Sequence, residues 1–209
     1  MSEQPEEPKR RPMQERIVTA AVRVMGERGV TNATTKEIAR AAGVSEGSLY
    51  NHFENKAALF GAAFGLVTSG IRSAMQELFT AVGQATVEDN LARFASTAIR
   101  FYADLLPMTG SVLADREVLG WLQRTGRAGG VSQGHAALVR YLQAEQEAGR
   151  LGPGAQPPYL AAAVLGACQH RAFAVLIGGQ AVEQPPGLDV DVDEYARGVV
   201  RVLLSAQAT

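Results

Sequence analysis

The sequence is poor in the residues that build redox and metal chemistry. Cys168 is its only cysteine, and His52, His135 and His170 are its only histidines. One cysteine excludes an intramolecular disulfide and any Cys-based zinc site of the usual kind, and it fits a reducing cytoplasm. Cys168 and His170 are two positions apart, about 200° around a helix, so they cannot form a nucleophile and base as they stand. The stretch GRAGGVSQG lacks the lysine of a phosphate-binding loop and the strand that should precede it, and reads as a flexible linker. The sequence therefore offers no catalytic site, no metal site and no cofactor site, and an enzyme is not expected. Also missing are an alternating strand pattern and an internal repeat. The N-terminal MSEQPEEPKRRP has no apolar run behind its basic residues, so it is no signal peptide; its Pro, Glu and Gln content reads as a disordered arm over residues 1–11. The longest apolar stretch, Tyr159 to Ile177, is interrupted by Gln169, His170 and Arg171, and it makes a better buried helix than a membrane span.

What is present is an ordinary globular composition, 46% hydrophobic and 20% charged over 209 residues. The net charge of −1 is unevenly spread. Residues 9–56 carry nine Lys or Arg against five Asp or Glu, while the segments on either side are net negative. A positive segment on a mildly negative chain suits a protein that meets a polyanion at one end.

Helical punctuation dominates that positive segment. From Pro12 to Arg28, Ile17, Ala21, Val24 and Met25 share one helix face, and Gly29 stops the helix. Thr34 with Glu37 forms a capping box for a second helix packed through Ile38, Ala39 and Ala42, and Gly43 ends it. Ser45 caps a third helix of about two turns, with Leu49 and Phe53 inward. Asn55 caps a fourth, in which Leu59, Phe60, Ala63, Val67, Ile71, Met75, Leu78 and Phe79 keep a helical period for about six turns. Residues 34–56 thus spell helix, Gly-containing turn, helix, the grammar of a helix-turn-helix that presents its second helix to the DNA major groove. Further helices are expected over 87–106, 112–124, 135–148, 159–177 and 192–206. The chain reads as all-α with about nine helices.

The residues Thr34, Ile38, Ala39, Ala42, Gly43, Val44, Ser45, Gly47, Leu49, Tyr50, Phe53, Lys56 and Leu59, at this spacing, resemble the N-terminal domain of TetR-family transcriptional regulators. The resemblance covers residues from about 13 to 60 and is only architectural beyond them. It implies a three-helix DNA-binding domain over 12–56 and a helical effector-binding and dimerisation domain over 57–209. It also implies that Ser45, Glu46, Gly47 and Ser48 lie nearest to bases or phosphates and that Tyr50 and His52 stand where rings reach phosphates; Lys56, Thr34 and Thr35 sit at helix starts, whose free N–H groups and dipole favour an anion. For Thr34 and Ser45, capping alone is a sufficient alternative. Glu46 stands apart, because an acid at the groove tends to reject phosphates and can accept from cytosine N4.

In the remainder, Phe94, Phe101, Tyr102, Met108, Trp121, Tyr141, His170 and Phe173 are candidates to line a pocket for a small apolar or amphipathic effector, as the resemblance implies, with a filled core as the alternative. His170 has three readings: pocket, dimer interface or satisfied core histidine. Leu160, Val164, Ala167 and Ala174, with Tyr195, Val199 and Leu203, offer two apolar stripes for an isologous homodimer. The expected function is a cytoplasmic regulator, most simply a repressor that leaves a palindromic operator in double-stranded DNA when an effector binds. The alternatives are a helical small-molecule-binding protein or an enzyme, neither of which would bind DNA.

Overall fold

The structure of the chain, a computed structural model, describes residues 10–114, 130–179 and 185–206. Among these residues it has nine helices and no strand: α1 (Arg10–Arg28), α2 (Thr35–Ala42), α3 (Glu46–Tyr50), α4 (Lys56–Val67), α5 (Ser69–Thr80), α6 (Val87–Ala114), α7 (Gly130–Glu147), α8 (Pro157–Gly178) and α9 (Val192–Ser205). Most of the N-terminal arm, Trp121 and most of the helix expected over 112–124 lie outside the described residues.

The first helix starts at Arg10, two residues inside the stretch read as a disordered arm, and three further boundaries differ from the sequence reading for local reasons. The helix expected over 56–79 is two helices, because Thr68 turns its hydroxyl back onto the carbonyl oxygens of Phe64 and Gly65 and closes α4 there. The helix expected to stop before Pro107 runs on to Ala114. A proline costs a helix one hydrogen bond and local crowding, but Leu105 and Met108 on either side of it are both buried. Of the stretch read as a linker, Gly130–Gly134 forms the start of α7. Glycine costs a helix only about 1 kcal/mol relative to alanine, which the buried face of Ala137, Leu138, Tyr141 and Leu142 just downstream outweighs.

The chain divides into two compact units, Met1–Thr68 with Pro107–Leu119, and Ser69–Leu106 with Gly120–Thr209. In the first, α1 packs on α2 and α4, and α2 packs on α3. Ile17, Ala21 and Met25 of α1, Ile38 of α2, Leu49 of α3 and Leu59 and Ala63 of α4 are fully buried, so four helices share one core that none could bury alone. In the second, α7 packs on α5 and α8, and α8 packs on α9. Phe94, Ala98, Tyr102, Leu138, Tyr141, Leu142, Leu160 and Val164 lie in its core.

A polar network stands inside this second core. Glu145 is fully buried and pairs with the Arg150 guanidinium at 2.7 Å. Arg150 also donates to the carbonyl oxygens of Gln84 and Ala85. The buried Asn90 amide donates to the carbonyl oxygens of Ala81 and Gln84 and to the Tyr141 hydroxyl at 3.1 Å, while Arg93 donates to its oxygen. The turn before α6 is thereby fastened to α7. Desolvation, chiefly, raises the Tyr141 phenol, with the Glu145 carboxylate adding to the effect.

Candidate nucleic-acid interface

The turn between α2 and α3 is built by caps at both ends. Thr34 accepts from the Glu37 N–H at 3.2 Å, and the Glu37 carboxylate accepts from the Thr34 N–H and hydroxyl. Those bonds, with Arg28 at 3.2 Å and the nearby Arg40, hold the Glu37 carboxyl below the usual glutamate range. The cap is therefore intact at neutral pH and weakens as pH falls through the acidic range towards that lowered pKa. Gly43 sits at φ +67°, a conformation that costs other residues energy, and a Cβ there would meet the Arg16 guanidinium at 3.3 Å. That guanidinium is placed by its own bond to the Ala42 carbonyl oxygen at 2.7 Å, which clamps α1 to the end of α2. Ser45 accepts from the Ser48 N–H at 3.1 Å, and Asn55 accepts from the Ala58 N–H at 2.8 Å.

On this frame the side chains singled out from the sequence fall into three groups. Thr35, Glu46 and Tyr50 are brought together: the Thr35 hydroxyl donates to Glu46 Oε1 at 2.6 Å and lies 3.3 Å from the Tyr50 hydroxyl. A threonine has one proton, and a carboxylate can only accept, so Tyr50 is the donor in the second, longer bond. Thr34, Ser45, Ser48 and Lys56 have structural duties. Thr34 and Ser45 cap helices, the Ser48 hydroxyl donates to Met13 Sδ at 3.6 Å, and Lys56 Nζ donates to the Thr31 carbonyl oxygen at 3.2 Å, closing the α1–α2 connection. Lys56 keeps two further protons on the ammonium. Gly47 and His52 form the third group. A Cβ at Gly47 would come no nearer than 4.0 Å to Ser45 Oγ, so the chain itself does not require glycine there. The His52 ring is half-buried.

Sequence reasoning missed Arg16, Met13 and the Thr31 carbonyl. No local signal marks them, because each acts across 25 residues or more of chain. The Thr35 to Glu46 bond spans 11 residues and was equally hidden.

The pocket candidates are only partly assembled. Phe94, Tyr102 and Tyr141 are buried in the core of the second unit with Phe101 packed against them, whereas Met108, also buried, belongs to the first unit. His170 and Phe173 are exposed on α8. A cleft of about 360 Å³, lined in part by Ala74, Leu78, Asn90, Arg93 and Phe94, opens beside Phe94.

The dimer candidates are also split. Leu160 and Val164 are buried in their own core, and Ala167, Ala174, Tyr195, Val199 and Leu203 are half-buried. On these two helices the large apolar side chains left exposed are Tyr159 (72% exposed), Phe173 (52%), Val175 (43%), Leu176 (44%) and Ile177 (69%) of α8, with Val202 (68%) of α9. By length and composition alone α8 could cross a membrane, yet 39% of its most apolar window is buried within the chain. The connection to α9 is pinned by the buried Arg171, which donates to the carbonyl oxygens of Leu188 and Val190 and lies over the Tyr195 ring.

Comparison with known proteins agrees with this frame. The family model "Bacterial regulatory proteins, tetR family" matches residues 17–63. The HTH-type transcriptional regulator AcrR of Shigella flexneri is 40% identical over 55 residues, 26% of each chain. The HTH-type transcriptional repressor BepR of Brucella suis is 47% identical over 51 residues, 24% of each. The chain thus spans about a quarter of the length of the curated relatives it matches. Over most of the chain the likeness is one of fold. A putative TetR-family regulator from Mesorhizobium loti superposes with a TM-score of 0.70 at 19% identity, covering 96% of this chain and 98% of that one. FadR from Bacillus subtilis, in complex with stearoyl-CoA, gives 0.66 at 19% identity, over 91% and 97%. SmeT, the repressor of the Stenotrophomonas maltophilia multidrug efflux pump SmeDEF, gives 0.66 at 20% identity, over 92% and 89%.

Proposed function

Residues 17–63 are a TetR-family N-terminal domain on a chain with the fold of TetR-family regulators, and from that premise we propose that the protein is a homodimeric, sequence-specific DNA-binding repressor of the cytoplasm, released from a palindromic operator by a small-molecule effector. The observation that carries the reading is the rigid α2–α3 corner. Its caps and the Arg16 clamp fix the α2–α3 turn on a core shared with α1 and α4, the Lys56 bond ties α4 to the α1–α2 connection, and Thr35, Glu46 and Tyr50 are brought together beside one another. A reading helix needs such fixity, because base-edge hydrogen bonds tolerate little displacement.

One such corner is too small for tight specific binding, and two on a dimer double the phosphate and base contacts. The exposed Tyr159, Phe173, Leu176, Ile177 and Val202 are the apolar surface that a second copy would cover. The effector acts by favouring a dimer geometry in which the two reading heads no longer match the half-sites. Phe94, Phe101, Tyr102 and Tyr141 gather in the second unit, which is where an apolar or amphipathic effector finds apolar walls. FadR in complex with stearoyl-CoA and SmeT are precedents for ligand binding and repression on this fold. The divisions 1–11, 12–56 and 57–209 belong to the same proposal.

The test is a gel-shift titration over a range of salt concentrations with Tyr50→Phe combined with Lys56→Ala. Removing a charged side chain that neutralises one phosphate lowers the slope of log affinity against log salt by about 0.9. Weaker binding with a shallower slope is expected; unchanged affinity and slope would remove both residues from the interface.

A further inference from the structure

Resting on the DNA-binding reading, we propose that Glu46 selects a cytosine in each half-site and that Thr35 is the positioning residue that aims it. Three observations carry this. First, Glu46 opens α3, on the surface that also holds Thr35 and Tyr50. Second, its carboxylate is fixed rather than waving in solvent: Oε1 accepts from Thr35 at 2.6 Å, and Thr35 is itself held by the phenol of Tyr50. Third, the bond is made through Oε1, so that among the described residues Oε2 stands as a bare acceptor.

A bare, fixed acceptor in the major groove discriminates by what it repels as well as by what it binds. Cytosine N4 is a donor, whereas guanine offers N7 and O6 and thymine offers O4, all acceptors that face a carboxylate unfavourably. Adenine offers its N6 donor beside the N7 acceptor, so it suits an amide better than a carboxylate. The same charge repels backbone phosphates, so Glu46 lowers affinity for DNA at large while it raises selectivity. The link to α2 is what makes the acid selective. A carboxylate free to rotate would relax towards water.

The experiment uses fluorescence anisotropy with the duplex that the wild-type protein enriches from a random pool, together with a panel in which each base of one half-site is changed in turn. Wild type is expected to prefer cytosine at one position by roughly 5- to 150-fold, the range of a single base-reading contact. Glu46→Gln is expected to move that preference to adenine and to bind unrelated duplex several-fold more tightly. Thr35→Val is expected to lose most of the cytosine preference with its salt dependence unchanged, and Thr35→Ser to retain it. A cytosine preference that survives Glu46→Gln and Glu46→Ala, or a wild-type site without such a position, overturns the assignment and leaves DNA binding standing. Failure of the wild type to bind any duplex at low salt overturns the functional reading and this inference with it.

Discussion

Cys168 lies on the inner side of α8 with its thiol donating to the Ala95 carbonyl oxygen at 3.6 Å. Burial pushes its pKa up to about 12, and the thiolate is the reactive form. The folded protein should therefore resist maleimide labelling at pH 7.5 and label only at the rate of unfolding; labelling within minutes in the native state would place the thiol at the surface. At this scale the sequence was informative wherever a side chain bonds to its own neighbourhood. The capping residues Thr34, Ser45 and Asn55 and the terminator Gly43 were legible because each acts within a few positions. Thr35, Glu46 and Lys56 were legible as candidates but not in their roles. The Thr35 to Glu46 bond and the Lys56 to Thr31 bond exist only once the helices have packed.

Among the elements, α6 and α7 show what periodicity leaves undecided. Pro107 and the glycines before His135 are breakers by propensity, and burial on the adjoining turns overrides them. The network joining these helices was illegible for another reason. Glu145 lies seven residues after Leu138 and so shares its helix face, but its fully buried pairing with Arg150 depends on a turn that only the packed structure brings into place. Removing one partner of a buried pair leaves an uncompensated charge. Arg150→Ala should cost about 3 kcal/mol in urea unfolding, towards the lower end for such a pair because the Arg150 side chain is 30% exposed. Adding Glu145→Gln should recover part of that loss. A single variant as stable as wild type would show that the pair does not hold α7 to the turn before α6.

For the molecule as a whole, the sequence shows an all-helical chain with a positive segment over residues 9–56, and the structure and the comparisons agree on the fold. What it could not show is which side of α8 faces inward. A helix apolar on every side carries no stripe to orient it, so Leu160 and Val164 were assigned to a partner although their own core takes them, while Phe173 and Ile177 stand exposed. The exposed face of α8 and the α3 corner are the two features on which the proposed two-headed reader rests. The most direct test is enrichment of a random duplex pool by the full chain at moderate salt, followed by sequencing. An inverted repeat, with half-sites about one helical turn or a multiple of it apart, is the predicted result. A pool that emerges without a shared sequence would contradict the account.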